Sequence, residues 1–241
     1  MGMTVVWSEA LDRLRAAGTE REALQATAEL IDEVVDGGVA VAEAAAPAAA
    51  SIISDLGNRR EFRICSLWVL VEIARCIGLW AKTARGKDAP NIRAAVEHEA
   101  HVASVLATGQ HAYVSLMSDH EADVRSMAYL LTGLCAPEPA VAARLLAEHE
   151  RVETHRLARA CARQGVLVAV ARAKAEEREP ALVESVREYV RSGTSEDRGR
   201  LRRVVEEHSG VGLPPAAREV LGATVTLLSD PEGPFWPIEN L

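Results

Sequence analysis

Aromatic residues are scarce in this chain, at 4% of its 241 positions, whereas hydrophobic residues make up 49%. The apolar positions are therefore filled mainly by Ala, Leu and Val, a mixture that suits close helix packing and gives little support to a β-sandwich. No apolar run reaches the length of a membrane span, and the first residues lack the basic and apolar regions of a secretion signal. We therefore expect an all-α protein in the cytoplasm, without membrane contact.

Cysteines and catalytic motifs are also few. The four cysteines lie inside helical apolar patterns and form no C-x-x-C pair, so we expect small buried side chains rather than a disulfide or zinc site. The sequence contains no Gly-rich phosphate loop and no G-x-S-x-G motif. These absences favour a non-enzymatic protein without a cofactor. The cysteines are Cys65, Cys76, Cys135 and Cys161.

The chain lacks an excess of basic residues. Its 27 Lys and Arg face 35 Asp and Glu, which gives a formal net charge of -8. A protein that holds nucleic acid normally presents a net basic surface along the phosphate path. We therefore expect a protein or peptide partner and not nucleic acid. An inhibitor or immunity-type protein that uses its acidic ends against a basic partner is an alternative.

A dyad of one apolar or small residue followed by Arg recurs every 30 to 32 residues. Thr154-His155 occupies the one place in the series where this dyad is missing. Self-similarity at such a period indicates stacked helical units, none of which can bury its apolar face alone. The dyads are Phe62-Arg63, Ile92-Arg93, Val124-Arg125, Val186-Arg187 and Ala217-Arg218.

Two copies of the repeat align without a gap, since residues 118–128 match residues 148–158. In each copy we expect an acidic turn that leads into a helix. The stretch from Asp119 to Cys135 is similar to the HEAT family, in which an Asp-bearing turn and a Val-Arg pair open the second helix of each hairpin. We expect Arg125 to link neighbouring repeats through an acid such as Asp119 or Asp123.

The resemblance to HEAT repeats implies an α-solenoid, a right-handed superhelix of helical hairpins that binds partners on its concave face. It implies a scaffold or adaptor organised as an N-terminal helical cap (1–50), HEAT-like repeats (51–230) and an apolar C-terminal tail (231–241). Periodicity and turn residues predict twelve helices, and Thr19 with Glu22 predicts a capping box. The helices are expected near 7–17, 20–36, 39–56, 60–84, 91–117, 120–135, 138–149, 151–164, 166–177, 180–192, 195–208 and 214–229.

The repeat also predicts which side chains line the concave face. If Val124, Ala128 and Leu131 are buried, residues two, five and nine after the start of the dyad point away from that buried stripe. Arg156, Arg159 and Arg163 form an arginine stripe along this face. The stripe is either the wall of a groove, which would pair with carboxylates or phosphates of a partner, or a solvated helix face that pairs with Glu153 and nearby acids. The two aromatic candidates are either interface anchors or core. The candidate binding residues are Trp68, Glu97, His101, Tyr129, Arg156, Arg159 and Arg163.

An enzymatic alternative rests on histidines. His98, Glu99 and His101 follow one another closely enough on a helix to offer ligands to a metal ion. With His120-Glu121 and His149-Glu150 they resemble the paired His-Glu motifs with which deoxyhypusine hydroxylase, a HEAT-type protein, holds two irons. Two of these pairs, however, lie in or beside predicted turns. A second enzymatic alternative is a HEAT-like DNA glycosylase that removes alkylated bases. Those enzymes are of similar size and use a basic concave face with a catalytic Asp, whereas the residues predicted for the concave face of this chain include no Asp.

Overall fold

The computed structural model describes residues 6–36, 40–57, 63–78, 89–175, 199–200 and 202–203. Helices account for 83% of these residues, which confirms the predicted all-α character. The chain divides into two compact units between Ala112 and Tyr113. Among the helices that the structure describes, none has both the length and the apolarity needed to cross a membrane.

The first unit consists of helices and one short antiparallel strand pair. Helix α1 packs against α2, α2 against α4, and α3 against α5. The strands pair Val35 with Val41 and Asp36 with Ala40. The elements are α1 (Val6–Ala16), α2 (Glu20–Val34), β1 (Val35–Asp36), β2 (Ala40–Val41), α3 (Ala45–Asp55), α4 (Arg63–Cys76) and α5 (Ala89–Thr108). The next helix, α6 (Gln110–Leu116), contains the division between the two units.

Local signals set several boundaries in this unit. The predicted capping box is confirmed, because the Glu22 amide donates to Thr19 Oγ1 and the Thr19 amide donates to Glu22 Oε2. The helix predicted at 39–56 begins only at Ala45, since the β-branched Val35 and Val41 favour a strand pair before it. The predicted limit of the cap at residue 50 lies inside α3.

In the second unit, the described stretch from residue 122 to residue 175 forms three packed helices: α7 (Ala122–Cys135), α8 (Pro139–Val152) and α9 (Arg156–Ala175). Helix α9 packs against both α7 and α8. Its Arg172 donates to the carbonyls of Gly133 and Ala136, at 3.1 and 2.8 Å, and so satisfies acceptors at the end of α7. The core between these helices is apolar and includes Val124, Met127, Leu130, Leu131, Leu146 and Cys161.

Two predictions in this unit are wrong. The sequence predicts separate helices at 151–164 and 166–177, but α9 continues through Gly165. The backbone of α7 lies so close to Gly165 that an added Cβ would approach the Tyr129 carbonyl oxygen to 2.6 Å. The aligned copies also differ, because residues 148–152 still belong to α8 and the turn is confined to residues 153–155. The helices predicted at 180–192 and 214–229 and the tail at 231–241 lie outside the described residues.

Candidate functional site

Arg125 connects α7 to the turn before α9. Its Nε donates to Glu153 Oε2 at 2.7 Å and its NH2 donates to Glu153 Oε1 at 2.9 Å. The predicted pairing of Arg125 with an acid is therefore present, but the acid is Glu153 and not the carboxylate of Asp119 or Asp123. Asp119 contributes its backbone carbonyl, which accepts from Arg125 NH1 at 2.8 Å. Glu153 aligns with Asp123 one repeat earlier, and this equivalence is the sequence signal that identifies it.

The Glu153 carboxylate is stabilised in its charged form. The hydrogen bonds from Arg125 lower the pKa of Glu153 to about 2, with further contributions from the His155 amide and the Tyr129 hydroxyl. Burial opposes this shift but does not cancel it. Burial and the hydrogen bond to Glu153 raise the pKa of Tyr129. Tyr129 therefore remains a neutral donor to an ionised acceptor at neutral pH.

The positions of α7 that the repeat predicts to face the partner are buried. Tyr129 is 1% exposed and its ring centroid lies 5.8 Å from that of His149, while Ser126 is also buried. Gly133 contacts the backbone of Gly165. Helix α9 covers this side of α7, so the predicted orientation of these residues is wrong and Tyr129 belongs to the core. Tyr129 is thus removed from the surface that a partner can contact.

The arginine stripe lies on the first two turns of α9. Arg159 Nε and Arg163 Nε both donate to Glu150 Oε1, at 3.0 and 2.5 Å. Glu150 is buried, whereas the side chains of Arg159 and Arg163 are 45% and 22% exposed. Arg156, the first residue of α9, is exposed. The acid that pairs with Arg159 and Arg163 is thus Glu150, one of the acids near Glu153.

Both bonds to Glu150 use only Nε of each arginine. Neither the Arg159 nor the Arg163 side chain makes another hydrogen bond or ion pair within the part of the chain that the structure describes. The Arg159 and Arg163 side chains are 45% and 22% exposed, so solvent still reaches part of each. The two guanidinium groups therefore share one carboxylate oxygen on side chains that stay partly exposed.

Positive charge at the N-terminal end of α9 is electrostatically unfavourable for the helix on its own. The positive end of the helix dipole lies at the helix N-terminus, where cations are destabilising. Glu150 and Glu153 offset part of this charge, and His155 Nδ1 accepts weakly from the Ala158 amide at 3.5 Å. A local arrangement that opposes stability is typical of functional positions.

The histidine segment of α5 does not form a ligand set. His98 Nε2 lies 2.9 Å from the Ala42 carbonyl oxygen, and the buried Glu99 accepts from the Gly78 amide at 2.9 Å. His101 is exposed, as is the other candidate of this helix, Glu97. In the residues whose placement is described, no group of three or more His, Cys, Asp or Glu is arranged to hold a metal ion.

The remaining candidate binding residue is Trp68, and the cysteines are the other side chains for which the sequence predicts a role. Trp68 on α4 is half-buried and its Nε1 donates to Glu72 Oε1 at 3.3 Å. The four cysteines are buried and free of disulfides, which confirms that prediction. Burial raises the pKa of Cys135 and Cys161 to about 12, so that both remain thiols at neutral pH.

Comparison of the chain with protein-family models, curated proteins and solved structures found no significant match.

Proposed function

We propose that this chain is a non-enzymatic binding protein whose partner, a protein or peptide, contacts the arginine stripe. The observation that carries the proposal is the pairing of Arg159 and Arg163 with one buried carboxylate while both arginine side chains stay partly exposed to solvent. Arginine is among the residues that most often dominate the energy of protein interfaces.

The stripe combines a structural contact with charge that is left over. Arg159 and Arg163 compensate the buried Glu150 carboxylate, which supports the fold, and the Arg159 side chain is still 45% exposed. Arg156 and Arg159, in the first turn of α9, also oppose the helix dipole. An anionic or polar partner surface would satisfy the remaining donors and offset this charge.

A HEAT-like solenoid is part of the same proposal. The Arg125–Glu153 link between the two aligned copies and the packing of α9 on both α7 and α8 are what a stacked helical array requires. In such an array each hairpin contacts its neighbours, and its exposed helix face is available for a partner.

Partner capture with charge-reversed variants tests the proposal. The parent protein and the variant R156E/R159E/R163E are immobilised, exposed to native lysate, and the retained proteins are quantified by mass spectrometry. We expect the parent to retain a defined partner and the variant to retain at least tenfold less of it.

A matched control has the same change in charge at other exposed positions. The variant R21E/R93E/R144E alters three exposed arginines, none of which belongs to the stripe. It should retain the partner at physiological salt, and circular dichroism should show that both variants keep the parental helix content. Equal retention by the stripe variant and the parent would contradict the proposal.

A further inference from the structure

We infer that Arg159 and Arg163, here called the arginine pair, bind one carboxylate of an acidic segment in the partner, with Glu150 as the residue that positions them. This inference rests on the proposed function and adds the chemistry of the contact. Glu150 lies on α8 and reaches across to both arginines on α9, so its single oxygen fixes the two side chains relative to each other.

The first argument is charge. The arginine pair carries two positive charges and Glu150 carries one negative charge, so the cluster keeps one uncompensated positive charge. Neither arginine has a second acid partner among the described residues. One incoming carboxylate would neutralise the cluster.

The second argument is geometry. Arginine presents a planar fork of donors that matches the two oxygens of a carboxylate. Because Nε of both residues is used internally, the donors left for a ligand are the terminal amino groups, on side chains that are 45% and 22% exposed. Both guanidinium groups bond the same oxygen of Glu150, which keeps the two side chains next to each other. Fixing the side chains in advance lowers the entropy that binding would otherwise cost.

The third argument separates a carboxylate from a phosphate, which has similar acceptor oxygens. A phosphorylated side chain carries roughly -1.5 to -2 charges at neutral pH. The cluster has one positive charge to offer and the buried Glu150 repels excess negative charge. A carboxylate therefore fits the charge of this cluster better than a phosphoryl group.

Defined peptides test the inference without knowledge of the natural partner. The probe is a fluorescein-labelled peptide in which Glu alternates with Gly, and matched probes carry Gln or phosphoserine in place of Glu. Anisotropy titrations give the Kd for the parent protein and for the variants R159Q/R163Q, R159K/R163K and, as a control of equal charge change, R21Q/R144Q. Circular dichroism verifies that each variant is folded.

We expect the Glu peptide to bind the parent at least tenfold more tightly than the Gln peptide. The R159Q/R163Q variant should lose at least tenfold, and R159K/R163K at least threefold because Lys keeps the charge but not the fork. R21Q/R144Q should match the parent. In nitrogen-15 spectra, the Nε–H signals of Arg159 and Arg163 should shift with the Glu peptide while that of Arg144 stays in place.

Three results would overturn the inference: equal Kd values for the Glu and Gln peptides, full affinity in R159Q/R163Q, or binding of the phosphoserine peptide at least tenfold tighter than that of the Glu peptide. The two tests fail independently. If the stripe variant loses the natural partner but the Glu peptide does not bind, the proposed function stands and this inference fails. If the Glu peptide binds but capture of the partner does not depend on the stripe, the proposed function fails and the carboxylate contact of the arginine pair stands.

Discussion

Four hydrogen bonds hold the Glu153 carboxylate. It accepts from Arg125 Nε and NH2, from the Tyr129 hydroxyl at 3.0 Å and from the His155 amide at 2.9 Å. Its side chain is only 4% exposed. Removal of its cationic partner would leave a nearly buried charge uncompensated, which costs more than the loss of an exposed ion pair.

We predict that Arg125→Ala lowers the free energy of unfolding by about 2 to 3 kcal/mol at pH 7. Urea unfolding followed by circular dichroism measures the change. Arg144→Ala is the control in the same unit, since the only hydrogen bond of that exposed side chain in the described part of the chain is a 3.4 Å contact with the Ala140 carbonyl. The control should cost less than about 0.5 kcal/mol.

The pH dependence of this effect identifies its cause. The folded-state pKa of Glu153, about 2, lies below the ordinary value of 4.5. Its contribution to stability is therefore fully present above about pH 4.5 and is lost as the pH falls toward 2. The difference between the parent and Arg125→Ala should narrow over that interval. A difference that stays constant from pH 7 to pH 3 would show that Arg125 does not act through Glu153.

The residue scale also shows where sequence reasoning is limited. Dyad spacing predicts that Arg125 pairs with an acid, and its contact with Glu153 in the turn before α9 agrees with that prediction. The spacing does not identify the acid, because hydrogen bonding across the repeat depends on where α8 ends. Helix α8 continues to Val152, which puts Glu150 on a helix face toward α9 and leaves Glu153 in the turn toward α7.

Close contact between α7 and α9 is the main feature at the scale of helices. A Cβ added to Gly133 would overlap the Gly165 carbonyl oxygen, and one added to Gly165 would lie 2.6 Å from the Tyr129 carbonyl oxygen. No side chain fits between the two backbones at this crossing. Glycine is therefore required here by packing, although it lowers the intrinsic stability of a helix.

We predict that Gly133→Ala destabilises the protein by about 2 kcal/mol or more, because the overpacking outweighs the better helix propensity of Ala. Thermal and urea unfolding measure the effect. Gly199→Ala is the matched control, since Gly199 is helical and no atom lies within 4 Å of the position that its new methyl group would take. The control should be neutral or slightly stabilising. If Gly133→Ala leaves the free energy of unfolding unchanged, α7 and α9 can move apart without destabilising the protein.

Helix boundaries can be predicted from the sequence where nearby residues set them, and less well where packing against another helix sets them. The start of α2 follows from the exchange of hydrogen bonds between Thr19 and Glu22, which are three residues apart. Gly165 resembles a helix break in the sequence because its packing role depends on Gly133, which is distant along the chain. The repeat period places Tyr129 on an open face because it does not reveal that α9 covers α7.

The net charge is the property of the whole molecule that bears most on the proposed function. A chain with a charge of -8 repels an acidic partner at long range, whereas the arginine stripe attracts it at contact. The two effects respond differently to salt, because interactions between exposed charges are screened beyond about 8 Å near physiological ionic strength. Contacts at the stripe act over shorter distances and are less screened.

We predict that salt separates the two charge-reversed variants. Both R156E/R159E/R163E and R21E/R93E/R144E make the protein more negative by the same amount, so both should bind the captured partner more weakly than the parent at low salt. As NaCl rises from 50 to 300 mM, the affinity of R21E/R93E/R144E should converge on that of the parent, because only long-range repulsion distinguishes them. The stripe variant should remain at least tenfold weaker at every concentration, since it has lost contacts. Isothermal titration with the purified partner measures these affinities. Convergence of the stripe variant as well would mean that the stripe acts only through net charge, and the partner would then have to bind elsewhere on the molecule.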